Sequence, residues 1–269
     1  MTAEARESEH ETEAQALARL YDLDLELNDP GDVGLYVALA ARTGGPVLEL
    51  GVGTGRVAVP LAAGGLDVVG VDRDQAMLAR ARARAEAAGL ARPGRLELVE
   101  GDMTSVRLAD AGRFQLVIVA LNTLTLLDDR ASQRAVLQTV ADHLAPGGLA
   151  VVDVWLPDGD DLARFDGRLA LESRIRDPTT GRITVKTAAA VHESVTGTVE
   201  LTQIWEEGMP GEAPIRWTRS DRLRLLGAGE LADLAGGVGL EVETLAGDYS
   251  LEPLGSGAER VVLLARRPG

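Results

Sequence analysis

Short apolar segments alternate with longer helix-like segments between residues 46 and 155, and this alternation restricts the fold more than any other feature of the chain. The apolar segments read PVLEL, DVVGVD, RLELVEGD, FQLVIVAL and LAVVDVW. Short apolar runs are typical of parallel strands buried on both faces. Strands separated by helices at this spacing predict right-handed βαβ units, and therefore a doubly wound, Rossmann-like α/β sheet.

The alternation ends after the fifth strand. The segment RITVKTAAAVHESVTGTVELTQIWEE has apolar residues mostly two apart and breaks at Thr196–Gly197, which predicts an antiparallel hairpin. A short helix and two closing strands follow. We therefore expect an acidic tail over residues 1–12, a core formed by 13–157 and 227–269, and a β-rich insertion over 158–226 that serves as a lid, a substrate-binding element or a dimerisation element.

Composition and charge narrow the class of protein. The 269 residues are 45% hydrophobic, contain no cysteine and carry a formal net charge of −15. The absence of cysteine excludes disulfides, thiolate metal ligands and a cysteine nucleophile. The acidic balance disfavours nucleic acid as a partner. No apolar run has membrane-spanning length and the first residues lack the apolar core of a signal peptide, so we expect a cytoplasmic protein without a membrane partner.

The stretch VLELGVGTGR, residues 47–56, places three glycines directly after a predicted strand. A strand, a glycine turn and a helix point backbone N–H groups at a ligand. The dinucleotide pattern G-x-G-x-x-G fits Gly51 and Gly53, but Arg56 stands where the third glycine belongs and Gly55 lies one place earlier. The turn alone is therefore weak support for nucleotide binding.

Acidic residues follow the other predicted strands at matching places. Asp72 ends the second strand, where it can accept hydrogen bonds from both ribose hydroxyls or cap the next helix. Asp102 and Met103 follow the third strand, where they can hold an adenine ring or form a turn and cap. Glu49 ends the first strand, beside the place of a cationic ligand group.

The segments VLELGVGTG, VVGVD, EGDM and LAPGGLAVVDVW, in this order and spacing, resemble the class I S-adenosylmethionine-dependent methyltransferases over nearly the whole chain. The resemblance implies a seven-stranded, mostly parallel sheet with a reversed last strand, S-adenosylmethionine as cofactor and no metal. It implies cofactor-binding roles for Tyr21, Tyr36, Glu49, Gly51, Gly53, Gly55, Arg56, Asp72, Arg73, Met77, Gly101, Asp102, Met103 and Leu121.

Methyl transfer from a sulfonium is an in-line displacement, so the protein mainly aligns the reactants and excludes water. Asn122 and Tyr21 are the candidate catalytic residues, with a turn-forming asparagine and a packed tyrosine as the alternatives. His192, Trp205 and Arg216, in the insertion, are tentative substrate-binding residues. Cross-strand ion pairs with glutamates explain Arg216 most simply, and a cap or surface role is expected for His143, outside the insertion.

The insertion and the segment AGDY resemble a narrower group, the glycine and sarcosine N-methyltransferases and the amino-sugar N,N-dimethyltransferases. The chain lacks the histidine that often follows the fourth strand in that group. We therefore expect methyl transfer to N or O of a small molecule whose identity the sequence leaves open. The alternatives are a protein that binds the cofactor without methyl transfer and a nicotinamide-dependent oxidoreductase. An edge strand of the insertion also allows a homodimer, and the sequence leaves the oligomeric state open.

Overall fold

Two β-sheets, one of seven strands and one of four, organise the part of the chain that the structure describes. The structure is a computed structural model that describes residues 11–90, 95–109 and 111–269. The chain forms two compact units. The smaller unit comprises the residues through Asp29 and Gly159–Leu223, and the larger unit comprises Pro30–Asp158 and Arg224–Gly269. Residues 1–10 of the predicted acidic tail lie outside the described residues.

The strands are β1 (Val47–Leu50), β2 (Val68–Asp72), β3 (Leu96–Glu100), β4 (Phe114–Val119), β5 (Leu144–Trp155), β6 (Ala170–Arg176), β7 (Ile183–Glu193), β8 (Thr198–Gly208), β9 (Ile215–Arg224), β10 (Glu241–Ala246) and β11 (Arg260–Arg266). The helices are α1 (Glu13–Leu27), α2 (Val33–Thr43), α3 (Ala58–Ala63), α4 (Gln75–Ala87), α5 (Arg130–His143), α6 (Gly159–Arg164) and α7 (Ala228–Gly236), with one 3₁₀ turn at Thr123–Leu126. None of these described helices is long and apolar enough to cross a membrane.

The larger sheet has the strand order β10-β11-β5-β4-β1-β2-β3. Strands β1 to β5 pair in parallel, whereas β11 runs antiparallel to both β5 and β10. The chain moves outward from β1 to β3 and then returns to place β4 beside β1, which makes the β1–β4 boundary the switch point where such sheets bind ligands. The predicted doubly wound sheet with a reversed last strand is confirmed.

Helices cover both faces of this sheet because successive strand residues point to opposite sides. On one face, Val47 and Ile118 pack with Leu39 of α2 and Leu61 of α3. On the other face, β1 and β4 contribute Leu48, Leu50, Val117 and Val119, which pack with Val136 and Leu137 of α5 and with Leu231 of α7. This double burial explains the continuous apolar runs of the sequence.

The smaller unit contains the antiparallel meander β6-β7-β8-β9. Its predicted hairpin is present: Gly197, with φ of 66°, lies in the turn between β7 and β8. The buried face of β7 is not the apolar one, because Thr184 and Lys186 are buried while Ile183 and Val185 are partly exposed. Alternation alone predicted the pairing of the strands but not which face would be covered.

Ion pairs with α1 explain this buried polar face. Arg19 donates to Glu207 of β8 at 3.1 and 2.8 Å, and Lys186 contacts Asp24 at 2.7 Å. Lys186 also lies 5.6 Å from the ring centre of Trp205. Helix α1 therefore packs with the inserted sheet, whereas the sequence placed residues 13–29 in the core. The functional division into core and lid stays a prediction.

Candidate active site

Polar residues collect at the edge of the larger sheet where its parallel strands end. Glu49 lies on β1, Asp72 ends β2, Gly101–Met103 follow β3, and Leu121–Asn122 follow β4. Parallel strands share their carboxyl edge, so the fold brings these predicted residues together. Tyr36 of α2 belongs to the same unit and packs on the face of the sheet that carries Glu49.

The glycine turn combines close packing with open space. Gly51 N donates to Val71 O at 2.8 Å, which ties the turn to β2. Gly55 has φ of 77°, and a Cβ there would lie 3.1 Å from Val59 and 3.2 Å from Ala81. Gly53 has φ of 53°, and no atom of the described residues lies within 4 Å of the corresponding position. Gly55 thus provides the close helix packing that the missing third glycine normally allows, whereas Gly53 leaves room for a ligand.

Asp72 holds the turn with both carboxylate oxygens. Its Oδ2 accepts from Gly53 N at 2.8 Å and its Oδ1 accepts from Asp74 N at 2.9 Å. The cap of α4 is instead Asp74, whose Oδ1 accepts from the N–H groups of Ala76 and Met77. Each carboxylate oxygen can accept a further bond, so Asp72 keeps acceptor capacity for a ligand hydroxyl.

Glu49 is a buried carboxyl group with an unused oxygen. It is 3% exposed, and its Oε2 has no hydrogen-bond partner within residues 11–90, 95–109 and 111–269. Burial raises the pKa of Glu49 to about 8, although the positive charge of Arg56 and the Ala58 N–H lower it. Such a group favours a nearby cation or an N–H donor, because either one stabilises its ionised form.

Arg56 makes an ion pair inside the protein. Its Nη1 and Nη2 donate to Oδ1 and Oδ2 of Asp32 at 2.5 and 2.7 Å, and Asp32 is fully buried. Tyr36 is also fully buried, and its Oη has no partner in the described part of the chain. Burial, followed by the negative charges of Asp153 and Asp32, raises the pKa of Tyr36 well above its usual value.

The predicted adenine end is more exposed. Oδ1 of Asp102 accepts from Thr104 N at 2.8 Å and from Thr104 Oγ1 at 2.7 Å, and these bonds lower the pKa of Asp102. Met103 is partly buried against the core, and Met77 is buried at the start of α4. Arg73 is exposed and contributes a smaller lowering of the Asp102 pKa.

The loop after β4 has strained backbone at two adjacent residues. Leu121 and Asn122 have φ of 45° and 63°, values that residues other than glycine rarely adopt. Oδ1 of Asn122 accepts from Trp155 N at 2.6 Å, and Asn122 N donates to Asp153 O at 3.2 Å. Asn122 therefore fastens the loop to the end of β5.

Sequence reasoning missed a further acidic group at this edge. Asp153 of β5 is fully buried, and its Oδ2 accepts from Tyr249 Oη at 2.5 Å and from Arg260 Nη1 at 2.9 Å. Oδ1 of Asp153 has no partner among the described residues. Burial raises the pKa of Asp153, opposed by Tyr249 and Arg260. The available signal was an aspartate inside the apolar run VVDVW.

The remaining predicted residues lie in the smaller unit. Tyr21 is partly buried on α1, and His192 is partly buried near the end of β7. Trp205 is buried on β8 at 5% exposure. Arg216 of β9 is exposed and contacts Glu206 of β8 at 2.5 Å, which is the cross-strand ion pair that the sequence favoured. Among the described residues, no three His, Asp or Glu side chains are grouped as a metal site.

Comparison with known proteins finds a methyltransferase domain in the chain. Residues 47–148 match a family model described as "Methyltransferase domain", a segment that runs from β1 into β5 and contains Glu49, the glycine turn, Asp72 and Asp102. The CcbJ methyltransferase from Streptomyces caelestis superimposes with a TM-score of 0.74 at 27% identity, covering 89% of this chain and 96% of that chain. The matched domain and this similar protein support a methyltransferase enzyme.

Two further proteins resemble this methyltransferase. "Cypemycin N-terminal methyltransferase" from Streptomyces sp is 28% identical over 261 residues, which are 92% of this chain and 94% of the relative. The S-adenosylmethionine-bound structure of CalS10, an amino pentose methyltransferase from Micromonospora echinaspora, shares the fold with a TM-score of 0.65 at 22% identity, covering 89% of this chain and 90% of that chain. The matched domain and the more similar proteins are methyltransferases, and the oxidoreductase alternative is wrong.

Proposed function

We propose that the enzyme methylates nitrogen in a small-molecule amine. The main support is the acidic character of the strand edge, where Glu49 and Asp153 are buried and each keeps one oxygen without a partner among the described residues. Buried acceptor oxygens favour N–H donors and cations. Two of the similar proteins carry names that specify an N-terminal and an amino-sugar acceptor, which agrees with this choice over oxygen.

The residues present fit the cofactor. S-adenosylmethionine supplies a methyl group on a positively charged sulfur. Asp72 would accept hydrogen bonds from the ribose hydroxyls, and Asp102 and Met103 would hold the adenine. Glu49 would face the positively charged end, and Gly53, beside which the described residues leave open space, would let the backbone approach. The remaining cofactor-binding assignments from the sequence stay predictions.

The chain's own residues would mainly align the reactants. A neutral amine attacks without prior loss of a proton, so it needs less help from a base than an alcohol does. Asn122 is suited to hold the loop after β4, since its carbonyl oxygen is bonded to Trp155 N. We therefore propose Asn122 as a positioning residue, and the catalytic role of Tyr21 stays a prediction.

Roles for the inserted sheet are also proposals. We propose that it covers the site and contributes substrate contacts through His192, Trp205 and Arg216, and that its edge strands pair two subunits into a homodimer. Light scattering after size exclusion measures the mass directly. A cytoplasmic location and the lack of nucleic-acid and membrane partners are expected from the sequence, and cell fractionation and a salt-dependent RNA-binding assay test them.

The test uses a cofactor with a deuterated methyl group and an acceptor panel of matched pairs. Phenethylamine, an amino sugar and a dipeptide are compared with the corresponding alcohols, and mass spectrometry locates the labelled methyl. We expect label on nitrogen in at least one amine and none on the matched alcohol. Label on alcohols alone, or no labelled amine, would overturn the proposal.

A further inference from the structure

Three buried oxygens without hydrogen-bond partners lie in the larger unit on one face of its sheet. They are Tyr36 Oη, Glu49 Oε2 and Asp153 Oδ1, and none has a partner in the regions that the structure describes. A buried polar atom left without a partner costs about 1–3 kcal/mol. Their position on one face points to a shared role. In the described chain, the remaining buried oxygen without a partner is Thr139 Oγ1, which belongs to α5 on the other face.

Strand alternation places the two carboxylates on the same side. Glu49 shares its face with Val47, and Asp153 shares its face with Val151, and both of these valines pack in the cluster that contains Tyr36. The charge of Asp153 is the largest electrostatic contribution to the raised pKa of Tyr36, after burial itself, and Glu49 adds a smaller one. Tyr36 therefore packs on the face of the sheet that carries both Glu49 and Asp153.

Asp153 is held in a fixed orientation. Tyr249 Oη and Arg260 Nη1 both donate to its Oδ2, and Arg260 also donates to Tyr249 Oη. The guanidinium of Arg260 stacks 4.3 Å from the centre of the Tyr249 ring. These contacts occupy Oδ2, and the backbone N–H of Leu121 also lowers the pKa of Asp153, while Oδ1 has no hydrogen-bond partner within the described residues. Such fixed orientation is typical of a preorganised binding group.

The unused oxygens of the cluster favour an N–H donor. Arg56 pairs with Asp32, Arg260 pairs with Asp153, and the raised pKa of Glu49, about 8, keeps its carboxyl group protonated near neutral pH. The cluster therefore offers unused acceptors and no excess negative charge, and an amino group carries several N–H donors that can satisfy them. A neutral hydroxyl would satisfy the acceptors only in part.

We propose that Tyr36 and Asp153 form a subsite that binds an amino group, with Tyr249 and Arg260 as positioning residues. The inference deepens the proposed function and rests on it for the identity of the amine. The amino group has two sources, the acceptor or the amino acid part of the cofactor. Asp153 lies two strands from Glu49, about 10 Å across the sheet, on the side away from Asp72. An amine there lies beyond the cofactor groups assigned to β2 and β1, as an acceptor would.

Binding measurements with two probes distinguish these sources without relying on turnover. Calorimetry compares S-adenosylhomocysteine with 5′-methylthioadenosine, which lacks the amino acid part, in wild type, Tyr36→Phe and Asp153→Asn. In the second arm, saturation-transfer NMR measures the binding of ethylammonium to the complex of the protein with S-adenosylhomocysteine. Ethanol is the neutral probe for comparison. Thr139→Val is the matched control, since it removes a buried unpartnered hydroxyl from the opposite face.

We expect saturation transfer to ethylammonium in wild type, at least a tenfold weaker response in Tyr36→Phe and Asp153→Asn, and no change in Thr139→Val. If both variants instead weaken S-adenosylhomocysteine at least tenfold and leave 5′-methylthioadenosine unchanged, the subsite exists and takes the amino group of the cofactor. The proposal fails if folded variants change neither measurement relative to Thr139→Val. The acceptor screen is independent of these readouts, so failure of the proposed function would be seen separately.

Discussion

Arg56 and Asp32 form a bidentate ion pair at 2.5 and 2.7 Å, in which the carboxylate is fully buried. The arginine occupies the position at which a dinucleotide-binding turn carries its third glycine. The pair joins the glycine turn to the start of α2, which carries Tyr36. A residue that departs from the nucleotide-binding pattern thus has a structural partner that the pattern alone did not reveal.

Removing one member of this pair should destabilise the fold strongly. Arg56→Ala leaves Asp32 buried without its cation, and loss of one partner of a buried pair costs about 3–5 kcal/mol. Urea unfolding measures the free energy. Arg216→Ala, which breaks the exposed pair with Glu206, is the control and should cost at most about 1 kcal/mol. Equal costs for the two variants would contradict the role given to Arg56.

Alanine at two glycines of the turn should separate folding from binding. Gly55→Ala forces a Cβ against Val59 and Ala81 at positive φ, so the free energy of unfolding should fall by about 2–4 kcal/mol. Gly53→Ala meets no described atom within 4 Å, so it should cost only the backbone strain, about 1–2 kcal/mol.

Calorimetry with S-adenosylhomocysteine completes the comparison of the two glycines. Gly53→Ala should weaken binding at least tenfold, because the new methyl group occupies the space into which the ligand fits. An affinity of Gly53→Ala equal to that of wild type would show that the ligand does not approach this backbone.

Alanine substitutions at Asp72 and at Asp74 should also separate ligand binding from stability. Asp74→Ala removes the cap of α4 and should cost about 1 kcal/mol of stability without changing the affinity for S-adenosylhomocysteine. Asp72→Ala removes charged hydrogen bonds, each worth about 1.5–3 kcal/mol, so affinity should fall about 10- to 100-fold. The reverse pattern would mean that Asp72 has only a structural role.

Glu49 should make stability and affinity respond to pH in opposite directions. Its pKa is about 8 in the folded protein against 4.5 as the unperturbed value, so the folded state retains a proton that the unfolded state loses. This contribution to stability is complete below pH of about 4.5 and is lost as pH rises through about 8. The stability of wild type relative to Glu49→Gln should therefore fall across this window in urea titrations.

Affinity for the positively charged cofactor should rise across the same window, because the ionised carboxylate attracts the cation. The rise should be absent in Glu49→Gln, measured by calorimetry at several pH values. A pH-independent difference between wild type and Glu49→Gln in both measurements would show that Glu49 does not titrate there.

The sheet could be predicted from sequence because local pattern and burial agree in it. Runs such as VLEL are buried on both faces, and the capping box at Thr12 and Gln15 follows the local pattern T-x-x-Q. The hairpin at Gly197 also follows from local signals. These features depend on neighbouring residues, which the sequence displays directly, whereas the reversed last strand was expected from the family resemblance.

Contacts between distant residues could not be predicted in this way. Asp153 and Arg260 are separated by 107 positions, and nothing local indicates that they pair. His143 was expected at the surface or in a cap. It is fully buried, with Nδ1 2.7 Å from Thr139 O and with Nε2 accepting from Leu108 N at 3.2 Å. Burial of a polar side chain depends on which segments cover it, and that is set by the tertiary fold.

The most direct test of the central claim is a crystal structure of the protein with S-adenosylhomocysteine. The decisive measurement is the distance between the ribose hydroxyls and the carboxylate oxygens of Asp72. We predict that the ribose hydroxyls lie about 2.5–2.9 Å from the Asp72 oxygens, the range of charge-assisted hydrogen bonds. A ligand bound elsewhere, with Asp72 contacting only the N–H groups of Gly53 and Asp74, would contradict the claim.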